Sequence, residues 1–292
     1  MEFKVYKSET QCQNLWKNFS PNERLFDFWE FRQCFFNKRE DKLHFLAAKE
    51  GGKVVGMAPL TYSRGKNQYA YFGGWFPERN YLFMENKPKM NELLEKCPDN
   101  TVIEGIDPVE SRYYGFSDDE DTYFLDLEKY SSDFEKYFGS FEKKKQKNFR
   151  RDLKRVPSHK VYHNRLKDFK RLVELNMKQF DEESIYADES TKNAMISMIK
   201  LAAKRNRLNM ISVEINNKVE AVDVAILLGR WYHVITGSSN NQKIPNIGKF
   251  ITTLSIRNAI LKRARYVDFL ASSGYWKNLW GFNKEMLLKF EK

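Results

Sequence analysis

One stretch constrains this 292-residue chain more than any other, the run of strand-like segments, helix and last strand over residues 210–282. MISVEINNKVEAVDVAILLGRWYHVITGSS holds Val- and Ile-rich apolar runs broken at Asn216-Asn217 and at Gly229-Arg230, the turn chemistry expected between antiparallel strands. Two hairpins follow from that. Pro245 and Gly248 then open a segment whose apolar residues Phe250, Ile251, Leu254, Ile256, Ile260 and Leu261 fit a helix better than a strand. Residues 266–270, Tyr-Val-Asp-Phe-Leu, predict a short buried strand, adjacent to the preceding one if the helix is a crossover.

The start of that helix carries the chemical interest. Unpaired backbone N–H groups and the helix dipole favour an anion there, typically a phosphate. Lys243, Asn246, Ile247, Gly248 and Lys249 occupy the position. Glycine admits close backbone approach, asparagine tolerates positive φ, and the lysines add charge. The same residues also read as an ordinary helix start after a proline.

The order of elements, with this loop before the central helix, resembles the GNAT acyltransferase fold. In that superfamily the loop reads Arg/Gln-x-x-Gly-x-Gly/Ala and holds the pyrophosphate of coenzyme A; here it reads Lys243-Ile-Pro-Asn246-Ile-Gly248, with one glycine kept. Asp268-Phe269-Leu270, followed by Gly274-Tyr275-Trp276-Lys277 and Trp280-Gly281-Phe282, is similar to the ending of the FemAB-like tandem GNAT proteins, which include the CelD/BcsL-type acetyltransferase domain. The resemblance implies an α+β fold of two GNAT-like halves, each a mixed, mostly antiparallel sheet flanked by helices. It implies acyl-coenzyme A (acetyl-CoA) as co-substrate, held by residues 243–249. It also implies that Tyr275 protonates the departing thiolate.

A repeated outline supports two halves, because a strand, helices, a hairpin and a third strand occur before residue 135 and again after residue 160. The expected domains are 1–135, a degenerate half without the cofactor loop; 136–157, a basic connecting helix; and 158–292, the half with the loop. In the first half, Ser8 caps a helix bearing Cys12, Leu15, Trp16 and Phe19, and LFDFWEFRQCFF predicts a second helix. A hairpin turns at Glu50-Gly51-Gly52. Residues 73–81, rich in glycine and aromatics, form a loop that either shapes an acceptor pocket between the halves or is a plain turn.

The joint, KKKQKNFRRDLKRV, spaces Phe141, Phe149, Leu153 and Val156 as a helix does, with a basic outer face. Three readings stay open: a solvated connecting helix, a surface for a phosphate-bearing substrate, and a nucleic-acid patch. Lys147, Arg150 and Arg151 are the candidates to meet an anion, arginine offering a bidentate fork.

A formal charge of +11 and a pI near 9.3 favour an anionic partner without choosing among cofactor phosphate, RNA and lipid. Three scattered cysteines, Cys12, Cys34 and Cys97, suggest neither a zinc site nor a disulfide framework, and no metal is expected. The N-terminus lacks the pattern of a signal peptide and no apolar run approaches a membrane span, so a soluble cytoplasmic protein is expected. Oligomeric state is not legible.

Acyl transfer from a thioester to an amine needs a proton acceptor and stabilisation of the oxyanion, with no covalent enzyme intermediate. His233 and Asp223 are the candidate bases; Asp268, a carboxylate in an apolar strand, must be paired, either with a basic or amide group or with an acceptor amine. Lys277 and Trp280 either hold the acceptor or pack. The leading expectation is an N-acyltransferase using acyl-coenzyme A and a small-molecule or peptide amine. Against it stand an aminoacyl-tRNA-dependent Fem-type aminoacyltransferase, with tRNA on the basic joint, and a non-catalytic GNAT-like binding module.

Overall fold

The computed structural model describes residues 1–109, 116–271 and 275–292. In chain order the elements are β1 (Glu2–Tyr6), α1 (Glu9–Phe19), α2 (Trp29–Gln33), β2 (Asp41–Glu50), β3 (Lys53–Ser63), β4 (Gln68–Tyr71), β5 (Phe83–Met84), α3 (Met90–Glu95), β6 (Thr101–Ile106) and β7 (Ser117–Asp126). There follow α4 (Phe134–Gly139), α5 (Lys143–Lys154), β8 (Lys160–His163), α6 (Phe169–Phe180), α7 (Glu189–Lys204), β9 (Leu208–Ile215), β10 (Lys218–Leu228), β11 (Trp231–Ser239), α8 (Ile247–Leu261), β12 (Tyr266–Ala271), α9 (Tyr275–Leu279) and β13 (Asn283–Glu291). This is an α+β protein whose strands are mostly antiparallel, as the sequence predicts.

The chain divides into two compact units, Met1–Tyr123 with Ala271–Lys292, and Phe124–Leu270. The sequence places the boundaries at 135 and 158, and gives the whole C-terminal end to the second half. The structural division differs because β13 pairs antiparallel with β6, Leu288 opposite Ile106 and Phe290 opposite Ile103, which returns the end of the chain to the first unit. No strand was expected over 283–291, where two leucines in succession break the alternation that marks a strand.

In the first unit the strand order is β1-β2-β3-β4-β6-β13, with β5 on β3. The β2–β3 hairpin turns where expected, at Gly51 and Gly52, both at positive φ. One core joins Trp16, Trp29, Phe45, Met57, Phe72, Leu93, Ile106 and Leu288. The expected helix over LFDFWEFRQCFF is broken into a 3-10 turn, Leu25–Asp27, and the five-residue α2. Asp27 explains the break: its carboxylate accepts the backbone N–H groups of Glu23 and Arg24, a local bond that competes with a continuous helix.

In the second unit the order is β12-β11-β10-β9-β8, antiparallel except for β11 with β12. The hairpin between β9 and β10 turns at Asn216-Asn217, both left-handed, as asparagine allows. Helix α8 is the crossover from β11 to β12. It packs its buried Ile247 and Ile251 with Ile211, Val213, Ile215, Ala221 and Ile244. Helix α6 also packs on β10 and β11. Residues alternate sides along a strand, so β10 sends Asp223 toward α8 and Val222 away from it. The helix–sheet packing thus fixes which polar groups are enclosed.

Candidate active site

The parallel pairing of β11 with β12 runs Trp231 with Tyr266, Tyr232 with Val267 and His233 with Asp268, and among the described residues goes no further. At that last rung His233 Nδ1 lies 3.0 Å from Asp268 Oδ2, both side chains 2% exposed. The partner that a carboxylate in an apolar strand requires is therefore a histidine one strand away. Asp268 Oδ1 accepts the N–H of Leu270 at 2.9 Å, and Leu270 itself sits at φ 57. A leucine held there costs on the order of 1–3 kcal/mol, so the end of β12 is strained around the carboxylate. Trp231 stacks on both His233 and Tyr266, which walls the pair with aromatic surface.

Asp223 and His233 are separated. A register shift in the β10–β11 ladder, Val224 with Thr236 and then Ala225 with Val234, changes the alternation between them. Asp223 faces α8, where Ser255 Oγ donates to its Oδ2 at 2.8 Å. A Cβ on the opposite residue, Gly237, would meet its Oδ1 at 2.1 Å, so only glycine leaves room for this carboxylate. Burial pushes the Asp223 carboxyl up to about 6, the Ser255 bond opposing it. Tyr232 also faces α8, its hydroxyl accepting from Asn258 Nδ2 at 3.0 Å.

At the start of α8, Asn246 adopts the left-handed conformation, φ 70. The first-turn N–H of Gly248 donates to Asn241 Oδ1 at 3.0 Å, and Asn241 Nδ2 donates to Ser239 Oγ at 2.8 Å. A Cβ on Gly248 would come within 2.8 Å of Asn241 Nδ2, so this glycine is needed for the loop's own packing. Ile247 is wholly buried in the core. Both lysines are engaged: Lys243 Nζ lies 3.5 Å from Glu220 Oε1 and Lys249 Nζ 2.6 Å from Asp152 Oδ2. The Lys249 ammonium holds the Asp152 carboxyl below its ordinary range. Lys243 keeps 65% of its side chain exposed and Lys249 35%, so both remain open to a second anion. A phosphate oxygen could take the place of the neutral Asn241 carboxamide on Gly248 N–H, and in this sense the loop fits a pyrophosphate.

Asp152 belongs to α5, whose outer side forms a groove of about 590 Å³ lined by Lys143, Gln146, Lys147, Arg150, Arg151, Lys154 and Arg155. Phe149 and Val156 are buried on the inner side. Arg150 and Arg151 meet carboxylates only at 3.8 and 3.6 Å, Glu135 and Asp152, with 63% and 57% of their side chains exposed.

In the first unit Lys277 and Trp280 are both 2% exposed, Lys277 Nζ lying 5.1 Å from the centre of the Tyr123 ring and Trp280 stacking on Phe282. The loop at 73–81 holds two buried charges that the sequence did not suggest. Glu78 accepts from Thr122 Oγ1 at 2.9 Å and from Ala271 N at 2.6 Å; Arg79 contacts Asp107 and Glu285. Gly274 and the side chain of Tyr275 lie outside the described residues. No group of three or more His, Cys, Asp or Glu among the described residues could hold a metal ion, and none of their helices is long and apolar enough to cross a membrane.

Comparison with known proteins bears on the domain and the fold. Residues 143–278 match the model of the acetyltransferase (GNAT) domain. The whole chain has the fold of FemX, with a TM-score of 0.62 at 12% identity over 100% of this chain and 98% of that one. It is also similar to a conserved protein of unknown function from Bacteroides thetaiotaomicron VPI-5482, TM-score 0.61, 13% identity, covering 99% and 98%. The tandem GNAT protein from the clavulanic acid biosynthesis pathway aligns at TM-score 0.56 and 11% identity over 99% and 98%. No curated protein matches by sequence. Residues 143–278 thus carry the pattern of a GNAT acetyltransferase domain, and the whole chain shares the fold of FemX and of a tandem GNAT protein.

Proposed function

We propose that the protein transfers an acyl group from acyl-coenzyme A to an amine, with the His233–Asp268 pair as its proton acceptor. The observation that carries this reading is the buried pair on the last rung of β11 and β12, inside the residues that match the GNAT domain. A carboxylate at Nδ1 fixes the imidazole so that its basic lone pair sits on Nε2, the nitrogen that takes the amine proton. Bound acyl-coenzyme A supplies a thioester, whose C–S bond breaks as the amine's C–N bond forms. Lys243, Lys249 and the Gly248 N–H hold its phosphates; Asp268 keeps His233 in one orientation and tautomer. The proton for the departing thiolate is assigned to Tyr275 by the family resemblance.

A second reading, aminoacyl transfer from tRNA, is favoured by the cationic groove of α5, which suits a phosphodiester chain better than a single pyrophosphate. Calorimetric titration with acetyl-coenzyme A, coenzyme A and bulk aminoacyl-tRNA separates the two. The first reading expects saturable coenzyme A binding below millimolar concentration. It also expects His233→Gln to lower kcat by about 10²-fold or more with donor affinity kept. Binding of the tRNA alone transfers the assignment to the second reading; binding of neither defeats both.

A further inference from the structure

We propose that Glu220 is the positioning residue for the entrance of α8, acting through Asn240 and Lys243 to hold the loop at 240–249 in the shape that takes the donor's phosphates. The inference rests on the coenzyme A reading above. Glu220 is 1% exposed, and a carboxylate so placed is costly unless ions and hydrogen bonds surround it. Asn240 Nδ2 donates to Oε2 at 2.8 Å, and the backbone N–H of Asn240 donates to the carbonyl of Glu220 at 2.8 Å. Lys243 Nζ stands 3.5 Å from Oε1. From the other side, Arg171 on α6 brings Nη2 to 3.5 Å of Oε2 and anchors Nε on the carbonyl of Val219 at 2.9 Å.

The backbone explains why the side chain reaches the loop at all. Glu220 is the residue skipped where the β9–β10 ladder shifts register, Val219 pairing with Glu214 and Ala221 with Val213. Such a bulge re-aims a side chain out of the regular alternation. Its grip falls on residues 240 and 243, just after β11 ends at Ser239, whereas the far end of the loop is held by Asn241 on Gly248 and by Asp152 on Lys249. A loop already fixed at both ends has little left to order when a phosphate takes over the Gly248 N–H from Asn241.

The test uses the full chain, with Glu220→Ala, Glu220→Gln and Asn240→Ala. Amide hydrogen exchange over 240–249 reads the loop, and acetyl-coenzyme A titration with steady-state kinetics reads the donor. Glu220→Ala and Asn240→Ala are each expected to speed loop exchange about tenfold and to raise Kd and KM for acetyl-coenzyme A about tenfold, with kcat at saturation unchanged. Glu220→Gln, which can still accept from Asn240, is expected to recover most of the loop protection. Asn240→Ala keeps the Glu220 carboxylate beside Arg171 and Lys243 and removes only its side-chain bond to the loop, so it decides the matter if Glu220→Ala does not fold. Wild-type exchange and affinity in Asn240→Ala, or a lower Tm with unchanged donor affinity in the Glu220 variants, overturns the proposal. If the wild type does not bind acetyl-coenzyme A, the donor reading fails, and the exchange comparison still decides whether Glu220 orders the loop.

Discussion

Asp223 takes a hydroxyl partner, Ser255, from the inner side of α8, and burial raises its carboxyl from about 3.8 to about 6. An acid whose folded-state pKa lies above its unfolded value binds its proton more tightly when folded. Stability is therefore lost as pH rises from about 4 to about 6, and the penalty is full above that window, on the order of 3 kcal/mol. Asp223→Asn keeps an acceptor for Ser255 and removes the charge. The variant's Tm relative to wild type is expected to climb between pH 4 and pH 7 and then level; a difference independent of pH would refute this account of Asp223. The sequence supplied the fact that Asp268 needs a partner, since an apolar strand around a carboxylate says so directly. It could not name His233, 35 residues away, because the pairing depends on a parallel register that no linear pattern contains. Glu220 was missed for a related reason: its orientation comes from a bulge, visible only once β9 and β10 are aligned.

Elements were more legible than residues. The left-handed pair Asn216-Asn217, the left-handed Asn246 before α8 and the apolar spacing of α5 each act within a few residues, and each appears where the sequence predicts. Helix α5 has a further consequence. Lys143 with Lys147, Lys147 with Arg151, Arg150 with Lys154 and Arg151 with Arg155 place like charges one turn apart, each pair opposing the helix by about 0.2–0.5 kcal/mol. The buried Phe149 and the Asp152–Lys249 pair hold it against that repulsion. Removing Arg150 and Arg151 together relieves three of these repulsions and breaks only long, exposed ion pairs, so stability should hold or rise, by up to about 1.5 kcal/mol. The same double alanine variant should weaken a polyanion such as bulk tRNA and flatten the dependence of binding on salt. Equal binding by both proteins from low to high salt would identify α5 as a solvated helix and no more.

At the scale of the whole chain, sequence order and structural membership part company at the C-terminus. The match to the GNAT domain ends at 278, and β13 lies beyond it, paired with β6 of the first unit. Local periodicity cannot report this, since the pairing joins residues about 180 apart and Met286-Leu287-Leu288 carries no clean alternation. Leu288, 7% exposed opposite Ile106, tests the assignment because it belongs to the core of the first unit with Leu60, Leu93 and Ile103. An aspartate there would bury a charge without a planned partner, a change of several kcal/mol in the class that unfolds marginal domains. Leu288→Asp should therefore strip hydrogen-exchange protection from β3, β4 and β6 while β9, β10 and β11 keep theirs. Losses confined to β9–β11 would place the end of the chain with the second unit, as its position in the sequence suggests, and would return the boundary to residue 158.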